Sequence, residues 1–227
     1  MAFDMTAEEI RRIEALARSK SPLIVCDVDE VVLEFVAPFI RFLESREHEF
    51  RSDSFHLTGN IYVKNTGHPV EKKNISRFLN DFFAEHDGWQ TPVSEARASL
   101  QSLEAEHGAE VVFLTAMPPR HHARRRGLLD AHGLTQPMIA TEDAKGQALA
   151  VLLQTHPDRP VAFLDDLPAN HLSILEAAPA TLALHMMAYE PLRRHLPPLP
   201  DGVKSVKDWP QARTEISTFL ANTAGLR

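Results

Sequence analysis

Several polar residues follow apolar runs at positions where their side chains could do chemistry together. Asp27 and Asp29 follow one apolar run, and the pair Asp165-Asp166 follows another much later in the chain. Thr115 ends a third run, and Lys145 comes shortly after a fourth. Carboxylates bind hard divalent cations, act as nucleophiles and carry protons, whereas hydroxyl and ammonium groups hold anionic oxygens. These residue types together indicate metal-assisted phosphoryl transfer.

Five short apolar runs are predicted to form the strands that position these residues. They place Val, Ile and Leu on consecutive positions, which is typical of strands buried on both faces of a parallel sheet. The runs are Leu23–Val28, Glu110–Thr115, Met138–Thr141, Val161–Leu164 and Thr181–Met187. Helical patterns alternate with them at Ser94–His107, Arg120–His132, Ala144–Gln154, Pro168–Ala178 and Pro210–Leu220. This alternation predicts a three-layer α/β fold with right-handed crossovers.

The carboxyl ends of parallel strands lie at one edge of the sheet, where α/β proteins bind ligands. Residues that are far apart in the sequence can therefore share one small site. Carboxylates packed together repel one another and shift one another's pKa, which a divalent cation relieves. Oxygen ligands of this kind suit Mg²⁺, which also keeps bound water and substrate phosphate. The sequence thus predicts a magnesium site at the carboxyl edge of the sheet.

Residues 36–91, here called the cap segment, interrupt the alternation of strands and helices. Two helical patterns, around Phe39 and Phe82, flank a polar loop from Arg51 to His68. We expect residues 1–35 and 92–227 to form the α/β core and the cap segment to be a small, mainly helical insertion over the end of the sheet. Such an insertion would exclude water and determine which substrate is accepted.

Four segments, in this order, resemble the motifs of the haloacid dehalogenase (HAD) superfamily of phosphatases. They are Asp27-Val28-Asp29-Glu30-Val31-Val32, Val111-Val112-Phe113-Leu114-Thr115, Lys145 followed by Gly146, and Val161-Ala162-Phe163-Leu164-Asp165-Asp166. The resemblance covers the core from about Ser21 to Met187. It implies a Rossmann-like core with a helical cap inserted between the first and second motifs.

The resemblance also implies roles for the residues that handle phosphate. Asp27 corresponds to the nucleophile, which forms an aspartyl-phosphate, and Asp29 to the general acid and base. Thr115, the adjacent Ala116 and Lys145 correspond to the residues that hold the phosphoryl group. The implied reaction is hydrolysis of a small phosphorylated metabolite, with a nucleotide as one candidate because the cap segment loosely resembles that of cytosolic deoxyribonucleotidases.

The implied cofactor is Mg²⁺. By the same resemblance, the Asp27 carboxylate and the Asp29 backbone carbonyl bind the metal. Asp165 is a further ligand, and Asp166 supports the ion directly or through water.

Two residues outside these roles are candidate substrate contacts. Many members of the superfamily have glycine where this chain has Glu30, so the extra side chain is expected to face the active site or solvent. Arg120 closely follows Thr115 and is expected to reach a substrate anion. The rest of the basic run from Arg120 to Arg126 is predicted to be a solvated helix face.

The composition is that of a globular protein, with 44% hydrophobic and 24% charged residues. A formal net charge of -7 does not favour binding to nucleic acid or to an anionic membrane. There is a single cysteine, Cys26, and residues Thr6–Glu9 form a helix-capping pattern rather than the apolar core of a signal peptide. We expect a cytoplasmic protein, monomeric or homodimeric.

Alternatives from other functional classes remain. One is a catalytically inactive binding protein with the same core, and others are a phosphotransferase or a dehalogenase of the same superfamily. A signalling receiver domain has its acidic pair first, the reverse of the order here. The sequence has no Walker loop and no paired-cysteine or His-x-x-x-His pattern for zinc.

Overall fold

The computed structural model describes residues 5–224 as nine α-helices and eight strands, with two short 3₁₀ turns. The strands are β1 (Leu23–Cys26), β2 (His48–Phe50), β3 (Ile61–Val63), β4 (Glu110–Thr115), β5 (Met138–Ala140), β6 (Val161–Asp165), β7 (Leu182–His185) and β8 (Val203–Ser205). The helices are α1 (Ala7–Arg18), α2 (Val36–Glu44), α3 (Lys72–Glu85), α4 (Ala96–His107), α5 (His122–Ala131), α6 (Lys145–Leu153), α7 (Pro168–Ala177), α8 (Glu190–Arg193) and α9 (Trp209–Ala224).

Six of the strands form one parallel sheet in the order β5-β4-β1-β6-β7-β8. The predicted α/β fold is therefore confirmed, and all five predicted strands are present: β1, β5 and β7 are shorter than predicted, β4 has the predicted bounds, and β6 extends one residue further, to Asp165. The sixth strand, β8, was not predicted. Its residues are exposed or half-buried at the sheet edge, so they lack the apolar run that marks the central strands.

The central strand β1 shows how the sheet buries both of its faces. Ile24 and Cys26 belong to one apolar cluster, together with side chains from α4, α5 and α9. Leu23 and Val25 belong to a second cluster on the opposite face, which includes side chains from α1, α6 and α7. Side chains alternate along a strand, so consecutive apolar residues fill both clusters and produce three layers.

The cap segment has an apolar cluster of its own. Phe82 of α3 packs edge-to-face against Phe39 and Phe42 of α2, which stack on each other, and all three rings are fully buried. Strands β2 and β3 form an antiparallel pair, which was not predicted because each has three residues and a long polar loop separates them. Aromatic side chains therefore stabilise this part of the chain.

The chain enters and leaves the cap segment through two adjacent backbone stretches. Leu33 forms an antiparallel bridge to Pro92, and the Glu34 N–H donates to the Thr91 carbonyl at 2.9 Å. Both ends of the cap segment are thereby held next to the turn that follows β1, which contains Asp27 and Asp29.

In residues 5–224 no helix is both long enough and apolar enough to span a bilayer.

Candidate active site

The sheet brings the predicted acidic residues to one edge. Asp27 directly follows β1, Asp165 ends β6, and Asp166 comes next. Strand β1 pairs in parallel with β6, and Cys26 is opposite Leu164, so their carboxyl ends are level. Within the described chain, carboxylate oxygens of Asp27, Asp165 and Asp166 lie within 4.8 Å of one another. The parallel register accounts for this cluster.

Lys145 is the cation at the centre of the acidic cluster. Its ammonium group donates to Asp27 Oδ1 and to Asp165 Oδ2, both at 2.6 Å, and its side chain is 1% exposed. Burial alone would lower the pKa of Lys145, but the two carboxylates raise it above its usual value. The lysine therefore remains charged and holds the ends of β1 and β6 together.

Helix packing fixes the position of Lys145. The next residue, Gly146, begins the contact between α6 and α7, where its N–H donates to the Ser173 hydroxyl at 2.9 Å. A Cβ atom added at Gly146 would lie 2.1 Å from the Ser173 carbonyl oxygen, so only glycine allows this approach. The close contact sets the distance between the helix that begins at Lys145 and the helix that follows Asp165.

Asp165 is held in a single orientation by the start of α7. Its Oδ1 accepts from the Leu167 N–H at 2.8 Å, and the Asn170 amide donates to both of its carboxylate oxygens at 2.9 and 3.0 Å. The bond from the Leu167 N–H joins the carboxylate to the backbone two residues further on, as in an Asx turn. The carboxylate is preorganised before any ligand binds.

Two histidines hold the backbone at the end of β6, a role that no sequence pattern indicated. His171 Nε2 donates to the Asp165 carbonyl at 3.1 Å, and His185 Nε2 donates to the Asp166 carbonyl at 2.9 Å. Burial lowers the pKa of both imidazoles, to about 4 for His185. They are neutral at pH 7 and act as hydrogen-bond donors. Since they follow no metal-binding spacing, only the fold reveals them.

The acidic cluster has the composition of a site for a hard cation. Burial and the charges of nearby carboxylates raise the pKa of Asp27 to about 7, although Lys145 opposes the shift. Desolvation, Asp165 and Asp27 raise the pKa of Asp166 well above its usual range. Three acidic side chains near one lysine leave negative charge uncompensated, and a divalent cation would balance it. The residues therefore fit a metal ion.

Asp29 lines the cavity beside this cluster, but its side chain is held by different partners. Asp29 Oδ1 accepts from Arg125 Nη1 and from Gln90 Nε2, each at 2.8 Å. Gln90 also donates to the Glu34 carbonyl, so it links the two ends of the cap segment to Asp29. Oδ2 of Asp29 has no hydrogen-bond partner in residues 5–224. The expected metal ligand at this position is the backbone carbonyl, which stays a prediction.

Arg125 is a residue of this site that was not predicted from the sequence. It belongs to the run Arg120–Arg126, which was predicted to be a solvated face, yet its side chain is 0% exposed. Its Nε and Nη2 have no hydrogen-bond partner among the described residues, and its Cζ lies 5.5 Å from the centroid of the Phe83 ring. An arginine in a basic run has no sequence signal for burial, so only the fold shows that Asp29 is its partner.

Thr115 and Ala116 lie at the end of β4, on the other side of β1 from Asp165, and both line the cavity. The Thr115 hydroxyl oxygen accepts from the Met117 N–H at 3.3 Å, which leaves the hydroxyl hydrogen free to donate. The structure therefore brings Asp27, Asp29, Thr115, Ala116, Lys145, Asp165 and Asp166 to one end of the sheet.

Glu30 has a different environment from the one expected. Its carboxylate is buried and accepts from the backbone N–H groups of Phe35 (2.9 Å), Val36 (2.7 Å) and Tyr189 (2.5 Å). It is absent from the cavity lining and faces neither substrate space nor solvent. A buried carboxylate with three N–H donors holds the start of α2 against the loop after β7. With φ at 65°, Glu30 adopts the conformation that favours glycine.

Arg120 also lies outside the cavity. Its guanidinium donates through Nε and Nη2 to Asn80 Oδ1, at 3.1 and 2.7 Å, in an exposed contact with α3. In this structure it connects the core with the cap segment. The expected contact of Arg120 with a substrate anion stays a prediction.

A cavity of about 380 Å³ lies between the acidic cluster and the cap segment. Asp27, Asp29, Thr115, Asp166 and Asn170 line its inner end. Apolar side chains line most of the remainder, and they come both from the cap segment and from the loops that follow β4, β6 and β7. The site therefore has a polar end and an apolar end.

Comparison with known proteins places the fold. The sequence matches no protein-family model and no curated protein. A haloacid dehalogenase-like hydrolase from Streptococcus pneumoniae is similar in structure, with a TM-score of 0.55 and 15% identity over 88% of this chain and 98% of that one.

Two further solved structures agree. A haloacid dehalogenase-like family hydrolase from Xanthomonas campestris has a TM-score of 0.56 and 13% identity, covering 91% of this chain and 99% of its own. A haloacid dehalogenase-like protein from Agrobacterium tumefaciens has a TM-score of 0.56 and 13% identity, over 87% and 98% of the two chains. The protein therefore has the fold of the haloacid dehalogenase-like hydrolases.

Proposed function

We propose that this protein is a Mg²⁺-dependent phosphomonoester hydrolase that uses Asp27 as its nucleophile. One observation carries the proposal: Asp27 lies within the three-carboxylate cluster and faces the cavity, with its Oδ1 fixed by Lys145. Its Oδ2 accepts no hydrogen bond from any described residue, so this oxygen is available to attack phosphorus. The hydrolase fold of the similar structures supports the same class of reaction.

The proposed reaction gives each of these side chains one role. Asp27 Oδ2 forms a bond to phosphorus while the bond to the leaving oxygen breaks, which produces an aspartyl-phosphate. Asp29 Oδ2 donates a proton to the leaving oxygen and then accepts one from the water that hydrolyses the intermediate. Thr115 and Lys145 stabilise charge on the transferred group. Mg²⁺ held by Asp27, Asp165 and Asp166 would neutralise the carboxylates and the phosphate oxygens.

Removal of divalent metal tests the proposal directly. We expect the protein to release phosphate from p-nitrophenyl phosphate with Mg²⁺ and to lose at least about 100-fold in rate in EDTA. Added Mg²⁺ should restore the rate, and Asp165→Asn should raise the Mg²⁺ concentration needed for half-maximal activity.

Asp201→Asn, an exposed change outside the cavity, is the matched control and should leave both values unchanged. Full release of phosphate in EDTA would overturn the metal requirement, whereas activity on halogenated carboxylic acids but on no phosphate ester would favour a dehalogenase. No hydrolysis of a broad phosphate panel would favour an inactive binding protein.

A second prediction concerns the pH dependence of stability without metal. The pKa of Asp27 is about 7 in the folded protein against 3.8 as the reference value, so the folded state binds the proton more tightly. The Asp27 carboxyl therefore stabilises the metal-free fold least when it is ionised. Its contribution to the free energy of unfolding falls as pH rises from about 4 to about 7. Buried histidines such as His185, whose pKa is lowered to about 4, have the opposite slope.

The comparison of wild type with Asp27→Asn in EDTA isolates the Asp27 contribution, because both proteins keep the histidines. We expect the variant to become more stable than wild type by an amount that grows between about pH 4 and pH 7. Urea unfolding at several pH values measures this difference. A difference that stays constant with pH would contradict the assignment of a raised pKa to Asp27.

A further inference from the structure

Resting on the proposed phosphatase function, we infer that the substrate is a monophosphate ester of an uncharged, largely apolar alcohol, with an aromatic ring as the preferred group. The apolar end of the cavity carries this inference. Phe35, Phe55 and Phe83 contribute aromatic rings, and Leu79, Met117 and Met187 contribute aliphatic and thioether surface. Apolar walls of this kind bind a leaving group through burial rather than through hydrogen bonds.

The basic side chains of the cap segment point elsewhere. Arg46 lies over the Phe42 ring and pairs with Glu85, and Arg51 lies over the Tyr62 ring and pairs with Glu49. Arg77 lines a separate, open pocket of the cap segment. Lysine and arginine are absent from the described residues that line the active-site cavity. His56, an exposed residue of the cap segment, is the one basic side chain among the described residues of the lining, so a leaving group inside the cavity meets no lysine or arginine.

Each of the two buried cations near the cavity pairs with a carboxylate. Lys145 is shared between Asp27 and Asp165, and Arg125 is paired with Asp29. Lys145 belongs to the acidic cluster at the polar end, and neither Lys145 nor Arg125 is among the residues that line the cavity. A second phosphate or a carboxylate on the leaving group would be desolvated against apolar walls without a counter-charge, which is strongly unfavourable. A sugar would bury several hydroxyl groups with few partners.

Matched substrates test this inference with the Mg²⁺-loaded protein. Benzyl phosphate, 4-carboxybenzyl phosphate and glycerol 1-phosphate all release a primary alcohol, which keeps the chemistry of the breaking bond similar. We expect kcat/KM for benzyl phosphate to exceed the values for the other two by about tenfold or more. The carboxylate of the second compound changes the charge but keeps the ring.

A variant of the cavity wall tests the same inference by changing the protein instead of the substrate. Leu79 lines the cavity from α3 and is half-buried, so Leu79→Lys places a cation at the apolar end. We expect this change to reduce the preference for benzyl phosphate over its carboxylated analogue by about tenfold. Ala84→Lys adds the same charge at an exposed position of the same helix, outside the cavity, and should leave the preference unchanged.

The outcomes separate this inference from the function on which it rests. Mg²⁺-dependent hydrolysis with equal or higher kcat/KM for glycerol 1-phosphate or the carboxylated ester would overturn the substrate class alone. Equal effects of Leu79→Lys and Ala84→Lys would show that the cavity does not hold the leaving group. No hydrolysis of the three esters by a protein that hydrolyses p-nitrophenyl phosphate would also overturn the substrate class alone, whereas no hydrolysis of any phosphate ester would remove the phosphatase function and this inference with it.

Discussion

Asp27→Asn is expected to lower kcat for a phosphomonoester by about 10⁴-fold or more, since the amide cannot form the covalent intermediate. The other groups that bind phosphate remain in place, so KM should change much less than kcat. Rapid acid quenching should trap phosphate on the wild-type protein and none on the variant. Asp201→Asn is again the control and should keep both the rate and the trapped phosphate.

The stability of Asp27→Asn distinguishes loss of chemistry from loss of fold. Asp27 contributes one of three carboxylates in a buried cluster, and Lys145 still has Asp165 as a partner when Asp27 is neutral. The variant should therefore be at least as stable as wild type in EDTA at pH 7. An active variant would show that another group attacks phosphorus, whereas an unfolded one would assign a structural role to Asp27.

Lys145→Met is expected to cost about 3–5 kcal/mol of stability in metal-free buffer, because it removes one partner of a buried ion pair. Asp27 and Asp165 each lose a charged hydrogen bond of 2.6 Å, and no other cation contacts them within the described chain. Activity should fall as well, since the charge next to the transferred phosphoryl group is lost. Thermal and urea unfolding measure the first effect.

Two further measurements assign the cause to electrostatics rather than to packing. Mg²⁺ should recover part of the stability that Lys145→Met loses, because the ion supplies positive charge to the same carboxylates. In the Asp27→Asn background, the same change should cost less, since one carboxylate is already neutral. A cost that is unaffected by Mg²⁺ and by Asp27→Asn would indicate that the methionine fits poorly in the space of the lysine.

The strand ends were predictable from the sequence because local patterns determine them. Consecutive apolar residues before Asp27 and Asp165 identify buried strands, and parallel strands of one sheet bring such ends together whatever the distance between them in the chain. Lys145 was predictable for a related reason, since it begins a helix after β5. Local sequence patterns therefore identify the residues that are proposed to carry out the chemistry.

Partners that depend on tertiary packing had no such signal. Arg125 is buried within a run of basic residues, although most residues in such runs are solvated, and its pairing with Asp29 spans 96 positions. Glu30 was expected at the active site or in solvent because many members of the superfamily have glycine at this turn, yet its side chain is buried and three backbone N–H groups compensate the burial. Both interactions exist only once distant segments have packed.

Cys26 is the single cysteine of the chain, and its reactivity can be used to follow local unfolding of the strand that precedes the proposed nucleophile. Its thiol is fully buried in β1 next to Asp27, and burial raises the pKa of the thiol, with a smaller contribution from the Asp27 charge. A thiolate is the reactive form, so the folded protein protects Cys26 from alkylating reagents. The rate of Cys26 alkylation therefore measures how often the central strand opens. The same measurement can be made on every variant without introducing a label, at a position next to Asp27.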